Sequence, residues 1–249
     1  MPEYLVKNMT AAELKRRAAE SKAIILPLAS VEILGAHGPV GLDLEVAEAV
    51  SGEIARLSGC LAAPAVPYGD TLEFDGMDGT VHVPVNVLEE YIYAVARSYL
   101  TSCGAKAIVF FNVHSLNGTA AAAVCRRLKS EGYTAVCSEW WSAISSVSME
   151  LLDTGAAGTG HGGELITSVA LALCGDKVRM DLAENEKPLE GLAKVSCWNG
   201  TPFKTFGNFR EYCRGGAWGD TGSASAEKGN EFINRGIEAV AAFIQAALT

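Results

Sequence analysis

Short apolar runs alternate along the chain with longer amphipathic segments. The apolar runs are bounded by glycine, proline or polar residues, which is typical of buried strands. The amphipathic segments repeat their apolar residues every three or four positions, and several of them end at a glycine, as helices do. The pattern predicts strands over residues 23–28, 61–66, 80–85, 106–111 and 133–137. It predicts helices over residues 10–21, 44–57, 87–103, 119–131, 164–173 and 227–248.

The order of these elements indicates the fold class. Strands that alternate with helices form parallel sheets, and strands that are apolar throughout are covered by helices on both faces. Thr10 is the predicted N-cap of the first helix, because Glu13 follows three residues later. No linker rich in proline, serine or charge divides the chain. We therefore expect a single α/β domain over residues 1–249, with a mostly parallel central sheet and helices on both faces.

Composition excludes several classes of protein and partner. Hydrophobic residues make up 49% and charged residues 20%, as in globular proteins. The net charge of -9 argues against a nucleic-acid partner and against an anionic membrane surface. The N-terminus does not resemble a signal peptide, and no apolar run approaches the roughly 20 residues of a membrane span. Seven irregularly spaced cysteines predict free thiols in a reducing cytoplasm.

Polar side chains follow several predicted strands, where ligands bind in open α/β sheets. Glu32 and Asp43 follow the first strand, and His114 follows the strand over residues 106–111. His161 and Glu164 come after the last strand, among glycines. Mixed carboxylate and imidazole groups suit Zn²⁺, Mn²⁺ or Fe²⁺. Such an ion polarises a carbonyl and can activate bound water at neutral pH.

Four other residues at strand ends are candidate substrate contacts: His37, Glu73, Trp140 and Trp141. Simpler interpretations stay open for several site residues. Asp43 is also a candidate N-cap of the helix over residues 44–57. One of the two tryptophans is expected in the core.

Four segments of the chain, and a match near its end, resemble the creatininase (creatinine amidohydrolase) family. Residues 26–43 are similar to the family's Pro-x-Gly-Ser-x-Glu-Gln-His-Gly-Pro segment and the Asp that follows it, and residues 67–80 to its Tyr-Gly…Gly-Thr stretch. Residues 112–117 resemble Asn-Gly-His-Gly-Gly-Asn, and residues 161–168 resemble His-Ala-Gly-Glu-x-Glu-Thr-Ser. Residues 219–229 contain a Gly-Asp pair and an Ala-Glu-Lys-Gly run that are similar to the family's tail.

The resemblance implies a function, a cofactor and an assembly. Members of the family are metal-dependent hydrolases with an α/β sandwich, many hold two divalent ions, and they open C–N bonds in cyclic amides or formamides. They are usually oligomers, so a homo-oligomer, for example a hexamer, is implied. The residues that fall on the family's ligand positions are Glu32, Asp43, His114 and Glu164, with Asp43 bridging. His161 falls near the reacting centre, and we expect His161 and Glu164 to take part in catalysis.

Three apolar residues depart from the family pattern and leave alternatives open. Leu34 stands where the family has a metal-binding histidine, Phe74 replaces another histidine, and Leu116 replaces a glycine. We therefore expect one or two ions. The first hypothesis is hydrolysis of a small amide, lactam or formamide by metal-activated water. The alternatives are a non-catalytic member that lost its metal centre and a ring-opening hydrolase or lyase acting on a sugar-like ketone.

Overall fold

A parallel sheet forms the centre of the computed structural model, which describes residues 3–185 and 207–249. The strands are β1 (Ile24–Leu28), β2 (Leu61–Ala62), β3 (Ala107–Asn112) and β4 (Thr134–Glu139), in the spatial order β2-β1-β3-β4. All three pairings are parallel. The predicted α/β class with a parallel sheet is confirmed.

Seven α-helices are described, and all except α5 lie close to the predicted bounds. They are α1 (Ala11–Glu20), α2 (Leu42–Ser58), α3 (Val85–Ser102), α4 (Gly118–Ser130), α5 (Trp140–Ser148), α6 (Glu164–Cys174) and α7 (Ala226–Ala247). Thr10 caps α1 as predicted, since its hydroxyl accepts a hydrogen bond from the Glu13 amide. Gly59 ends α2 in the left-handed conformation, with φ at 75°, which glycine adopts without strain.

The two faces of the sheet pack against different helices because neighbouring strand residues point in opposite directions. Ile25, Val109 and Phe111 contact the core on one face, which contains apolar residues of α2, α5, α6 and α7. Ile24 and Phe110 contact the core on the other face, which contains residues of α1, α3 and α4. Continuous burial on both faces explains why β1, and β3 up to its last residue, Asn112, are apolar.

The structure corrects the sequence prediction at three places. The predicted strand over residues 80–85 is wrong, because the amides of Val81 and Val83 bond to the separate carbonyls of Val31 and Gly69 rather than to one neighbouring strand. The strand over residues 61–66 is reduced to Leu61–Ala62, with an isolated bridge from Val66 to Leu28. Helix α5, which begins directly at the end of β4, was not predicted.

Two observations bear on the expected environment of the protein. Across residues 3–185 and 207–249, we find no helix with the length and apolar character that a membrane crossing requires. The six cysteines in this part of the chain are free thiols, and the seventh, Cys197, lies outside the described residues.

Candidate metal centre

Three buried polar side chains converge at the carboxyl ends of β1 and β3. Glu32 lies in the loop after β1, Asp43 in the first turn of α2, and His114 two residues after the end of β3. One ligand atom from each lies within 4.8 Å of the other two, so the three residues could hold a metal ion. Asp43 is not the N-cap of α2, because that helix begins at Leu42 with Gly41 as its cap.

Hydrogen bonds orient the ring of His114 toward the two carboxylates. Its Nε2–H donates to the carbonyl oxygen of Asp70 at 2.8 Å. In the neutral ring this leaves the lone pair on Nδ1, which lies 3.0 Å from Glu32 Oε2 and 3.5 Å from Asp43 Oδ2. Asp43 Oδ2 is also held by the hydroxyl of Ser30 at 2.8 Å.

The donor set fits a divalent cation. Glu32 Oε2 is buried without a hydrogen-bond donor among the described residues, and His114 Nδ1 lies 3.0 Å from it. Two buried carboxylates and an imidazole lone pair repel one another unless a proton or a cation lies between them. Carboxylate oxygen and imidazole nitrogen are ligands of Zn²⁺, Mn²⁺ and Fe²⁺ alike.

The three groups also shift one another's pKa values. Burial works to lower the pKa of His114, but the charges of Glu32 and Asp43 and their close contacts with the ring together hold that pKa well above its usual value. Burial works to raise the pKa of Glu32, but the charge and close contact of His114, with smaller effects from His161 and Ser30, together lower it. The pKa of Asp43 is raised, first by burial and then by the nearby charge of Glu32. Such opposed shifts are typical of functional sites.

Aromatic rings form the wall beside this centre. Phe74 lies 6.5 Å from the His114 ring and 4.7 Å from the His161 ring, measured between ring centroids. Phe209 packs on both Phe74, at 4.6 Å, and His161, at 5.3 Å. The Nε2–H of His161 donates to the Ile33 carbonyl at 2.8 Å, so Nδ1 of the neutral ring carries its lone pair.

Glu164 lies outside the group of three converging ligands. Its side chain is fully buried at the start of α6. The carboxylate accepts hydrogen bonds from the amides of Asp153 and Thr154, from the Thr154 hydroxyl, and from Lys228 of α7. Burial works to raise the pKa of Glu164, but the bonds from Lys228 and Thr154 lower it overall. Four hydrogen-bond donors therefore hold this carboxylate in place.

The four predicted substrate contacts lie in different surroundings. His37 is buried, and its Nε2–H donates to the Thr167 hydroxyl at 3.0 Å, while that hydroxyl donates to Gly162. Glu73 is buried in the short turn that carries Phe74. Trp140 is fully buried in the core, edge-on to Phe111 at 5.6 Å, so it presents no face to a ligand. Trp141 is partly buried against the same core.

Three residues of the centre were not singled out from the sequence. Ser30, which holds Asp43, and Asn117, whose amide oxygen accepts from the Asp70 N–H, lie in segments that resemble the family, but nothing in the sequence revealed these partners. Asp70 contributes only its backbone carbonyl to His114, and because every residue has a carbonyl, residue type carries no signal for this contact.

Comparisons with known proteins identify similar chains. A sequence model of the creatininase family, described as creatinine amidohydrolase, matches residues 7–244. A mycofactocin precursor peptide peptidase of Mycobacterium ulcerans (strain Agy99) is 33% identical over 181 residues, which are 68% of this chain and 66% of the relative. The chain thus spans just under two thirds of that relative's length.

Two further proteins are similar over most of the chain. A 3-dehydro-scyllo-inosose hydrolase of Thermotoga maritima (strain ATCC 43589 / DSM 3109 / JCM 10099 / NBRC 100826 / MSB8) is 25% identical over 187 residues, covering 73% of this chain and 60% of the relative. A solved structure named "Creatininase Mn" superposes with a TM-score of 0.81 at 23% identity, covering 98% of both chains. This likeness confirms the fold.

Proposed function

Because the chain belongs to the creatininase family, we propose that it is a metal-dependent hydrolase that cleaves an amide C–N bond. One observation carries the proposal: Glu32, Asp43 and His114 bring three ligand atoms together in a buried group at the carboxyl end of the sheet. Three protein ligands leave coordination positions open, as in catalytic rather than structural sites.

These three residues would hold one ion, with zinc, manganese and iron all compatible with their chemistry. When bound, such an ion supplies Lewis acidity toward a carbonyl oxygen and toward water. A single ion is favoured because Leu34, at the family's histidine position, is buried among apolar residues and has no atom that can bind a metal.

His161 is the proposed proton carrier. Its Nε2–H is committed to the Ile33 carbonyl, so Nδ1 is the nitrogen that can take a proton and pass it to the leaving amine. Phe74 and Phe209 fix the plane of the ring from two sides. Glu164, whose carboxylate is committed to Lys228 and Thr154, anchors the loop that precedes α6 rather than binding the ion.

The surroundings of the centre are apolar because Phe74 and Phe209 are buried beside His161, and they favour an amide with an apolar neighbouring group. A small amide or the end of a peptide would satisfy this requirement. The similarity to a mycofactocin precursor peptide peptidase supports a peptide substrate. The similarity to the structure named "Creatininase Mn" supports a small cyclic amide.

Two other functions have specific support. Ring opening of a sugar-like ketone uses the same Lewis-acid chemistry, and the inosose hydrolase among the relatives favours it. A non-catalytic role is favoured by Leu34, Phe74 and Leu116, which make the surroundings of the centre more apolar than the family pattern.

Metal analysis of the intact protein tests the proposal. After purification without chelator and addition of Zn²⁺, Mn²⁺ or Fe²⁺, we expect about one tightly bound ion per chain. Asp43→Asn is expected to lose the ion and the hydrolysis of screened amides. The exposed control Asp181→Asn, which removes only a surface pair with Arg179, is expected to lose neither. No bound ion in the wild type would favour the non-catalytic role.

We also propose that the protein is a cytoplasmic homo-oligomer, with a hexamer as the form that the family resemblance implies. Free cysteine thiols support the reducing compartment. Sedimentation velocity on the full chain tests the assembly, and a monomer at micromolar concentration would contradict it.

A further inference from the structure

We propose that Asn117 is a positioning residue that sets the orientation of the His114 ring toward the metal. This assignment rests on the proposed function, since it assumes that His114 binds an ion. Asn117 lies three residues after His114 and is fully buried at the end of a short turn that leads into α4.

The amide group of Asn117 joins two other loops of the site. Its Oδ1 accepts a hydrogen bond from the backbone N–H of Asp70 at 2.8 Å, in the loop that follows Val66. Its Nδ2 donates to the carbonyl oxygen of Ala29 at 3.0 Å, in the loop after β1. One side chain therefore connects the ends of β1 and β3 with the loop that carries Asp70.

Both connected loops contact the candidate ligands. The carbonyl of Asp70, whose own N–H is held by Asn117, accepts the Nε2–H of His114 at 2.8 Å. Ala29 precedes Ser30, whose hydroxyl holds Asp43. Partners that fix the distal nitrogen of a metal-binding histidine determine its tautomer and ring orientation. Asn117 acts one step further out, by fixing that partner.

Close packing leaves the amide little freedom to move. A Cβ added at Gly69 would lie 2.2 Å from Asn117 Oδ1 and 2.8 Å from the Ala29 carbonyl oxygen. The backbone of Gly69 therefore passes directly against the Asn117 amide. The position also needs an acceptor at one end of the group and a donor at the other, which a primary amide provides.

A cobalt titration of the full chain tests this role. Co²⁺ takes the same ligands as zinc, and its visible absorption reports ligand geometry independently of activity. The variant is Asn117→Leu, which is neutral and similar in size but can neither accept from Asp70 nor donate to Ala29. We expect its Kd for Co²⁺ to rise about 10-fold, the low end of the effect of losing a direct outer partner because Asn117 acts through Asp70, with a changed absorption spectrum. Stoichiometry at saturation should remain that of the wild type.

Two further variants make the test specific. Ser58→Ala removes another buried hydrogen bond, from the Ser58 hydroxyl to the Ile54 carbonyl at 2.7 Å near the opposite end of α2, and should leave Kd and spectrum unchanged. Gly69→Ala displaces the Asn117 amide without removing it, so it should also raise the Kd for Co²⁺. This second variant keeps the test valid if Asn117→Leu does not fold. Urea unfolding of each sample gives the folded fraction to which the Kd refers.

The results separate the two proposals. A folded Asn117→Leu, or a folded Gly69→Ala, with the wild-type Kd and spectrum would overturn the positioning role while leaving the metal site intact. A wild type that binds no Co²⁺ would instead overturn the proposed metal function, and the role of Asn117 with it.

Discussion

Replacing Lys228 with methionine is expected to destabilise the fold by about 3 kcal/mol, which is at the low end of the 3–5 kcal/mol for removing one partner of a buried ion pair. The Glu164 carboxylate that would lose its cation is fully buried, whereas the Lys228 side chain is 22% exposed. The low end applies because Asp153 and Thr154 still donate to the carboxylate. For a chain of this length, the loss corresponds to a fall in Tm of about 6–12 °C.

The Lys228–Glu164 ion pair should stabilise the fold only within a defined pH range. The pKa of Glu164 is lowered in the fold, so its contribution to stability is present above the usual glutamate value of 4.5 and is lost as the pH falls through the folded pKa. Burial works to lower the pKa of Lys228, but its bonds to Asp153 and Glu164 raise it above 10.5, so its contribution is lost only in strong alkali. The stability difference between wild type and variant should therefore narrow in acid.

Urea unfolding at pH 7 and at pH 4 measures this difference. Lys177→Met is the matched control, because the Lys177–Glu45 pair is exposed at both ends and should be worth under about 1 kcal/mol. If Lys228→Met lowers the free energy of unfolding at pH 7 by no more than this control does, the reasoning about the buried ion pair is refuted.

A second variant tests whether Glu164 is a structural anchor or a metal ligand. Glu164→Gln should reduce stability while the bound metal per chain stays at the wild-type level. Loss of the ion in folded Glu164→Gln would instead identify Glu164 as a ligand, as the family resemblance implies.

Two other predictions follow from buried groups near the sheet. Burial raises the pKa of Glu139 to about 7, so the fold loses stability as the pH rises from 4.5 through 7. Glu139→Gln should therefore stabilise the protein by up to about 3 kcal/mol at pH 8 and by little at pH 4, whereas a pH-independent difference in urea unfolding would argue against this pKa. Trp140→Ala should cost about 3–5 kcal/mol, since the ring is fully buried against Phe111, and should leave metal binding unchanged. Metal loss from folded Trp140→Ala would place the ring at the site after all.

The sequence by itself determined the sheet and the general place of the site. Ile24–Leu28 and residues 107–111 are apolar along their length because both faces of the sheet are covered, and this pattern can be read directly from the sequence. Parallel strands bring their carboxyl ends to one edge, so Glu32 and His114, which follow β1 and β3, were expected to meet. The alternation over residues 80–85 led to a wrong strand prediction. An alternating pattern does not show which carbonyl groups the backbone amides will bond to.

Tertiary structure alone decided what each polar group contacts. Glu164 falls on a position that the family resemblance assigns to a metal ligand, yet in the fold Lys228 of α7 donates a hydrogen bond to it. Trp140 follows a strand end like a site residue, but α5 turns it into the core. Asn117 reaches Asp70 and Ala29 only because three loops meet. Hydrophobic periodicity involves neighbouring residues and can therefore be read from the sequence. A hydrogen bond or ion pair depends on distances of a few ångströms between segments that are far apart in the chain.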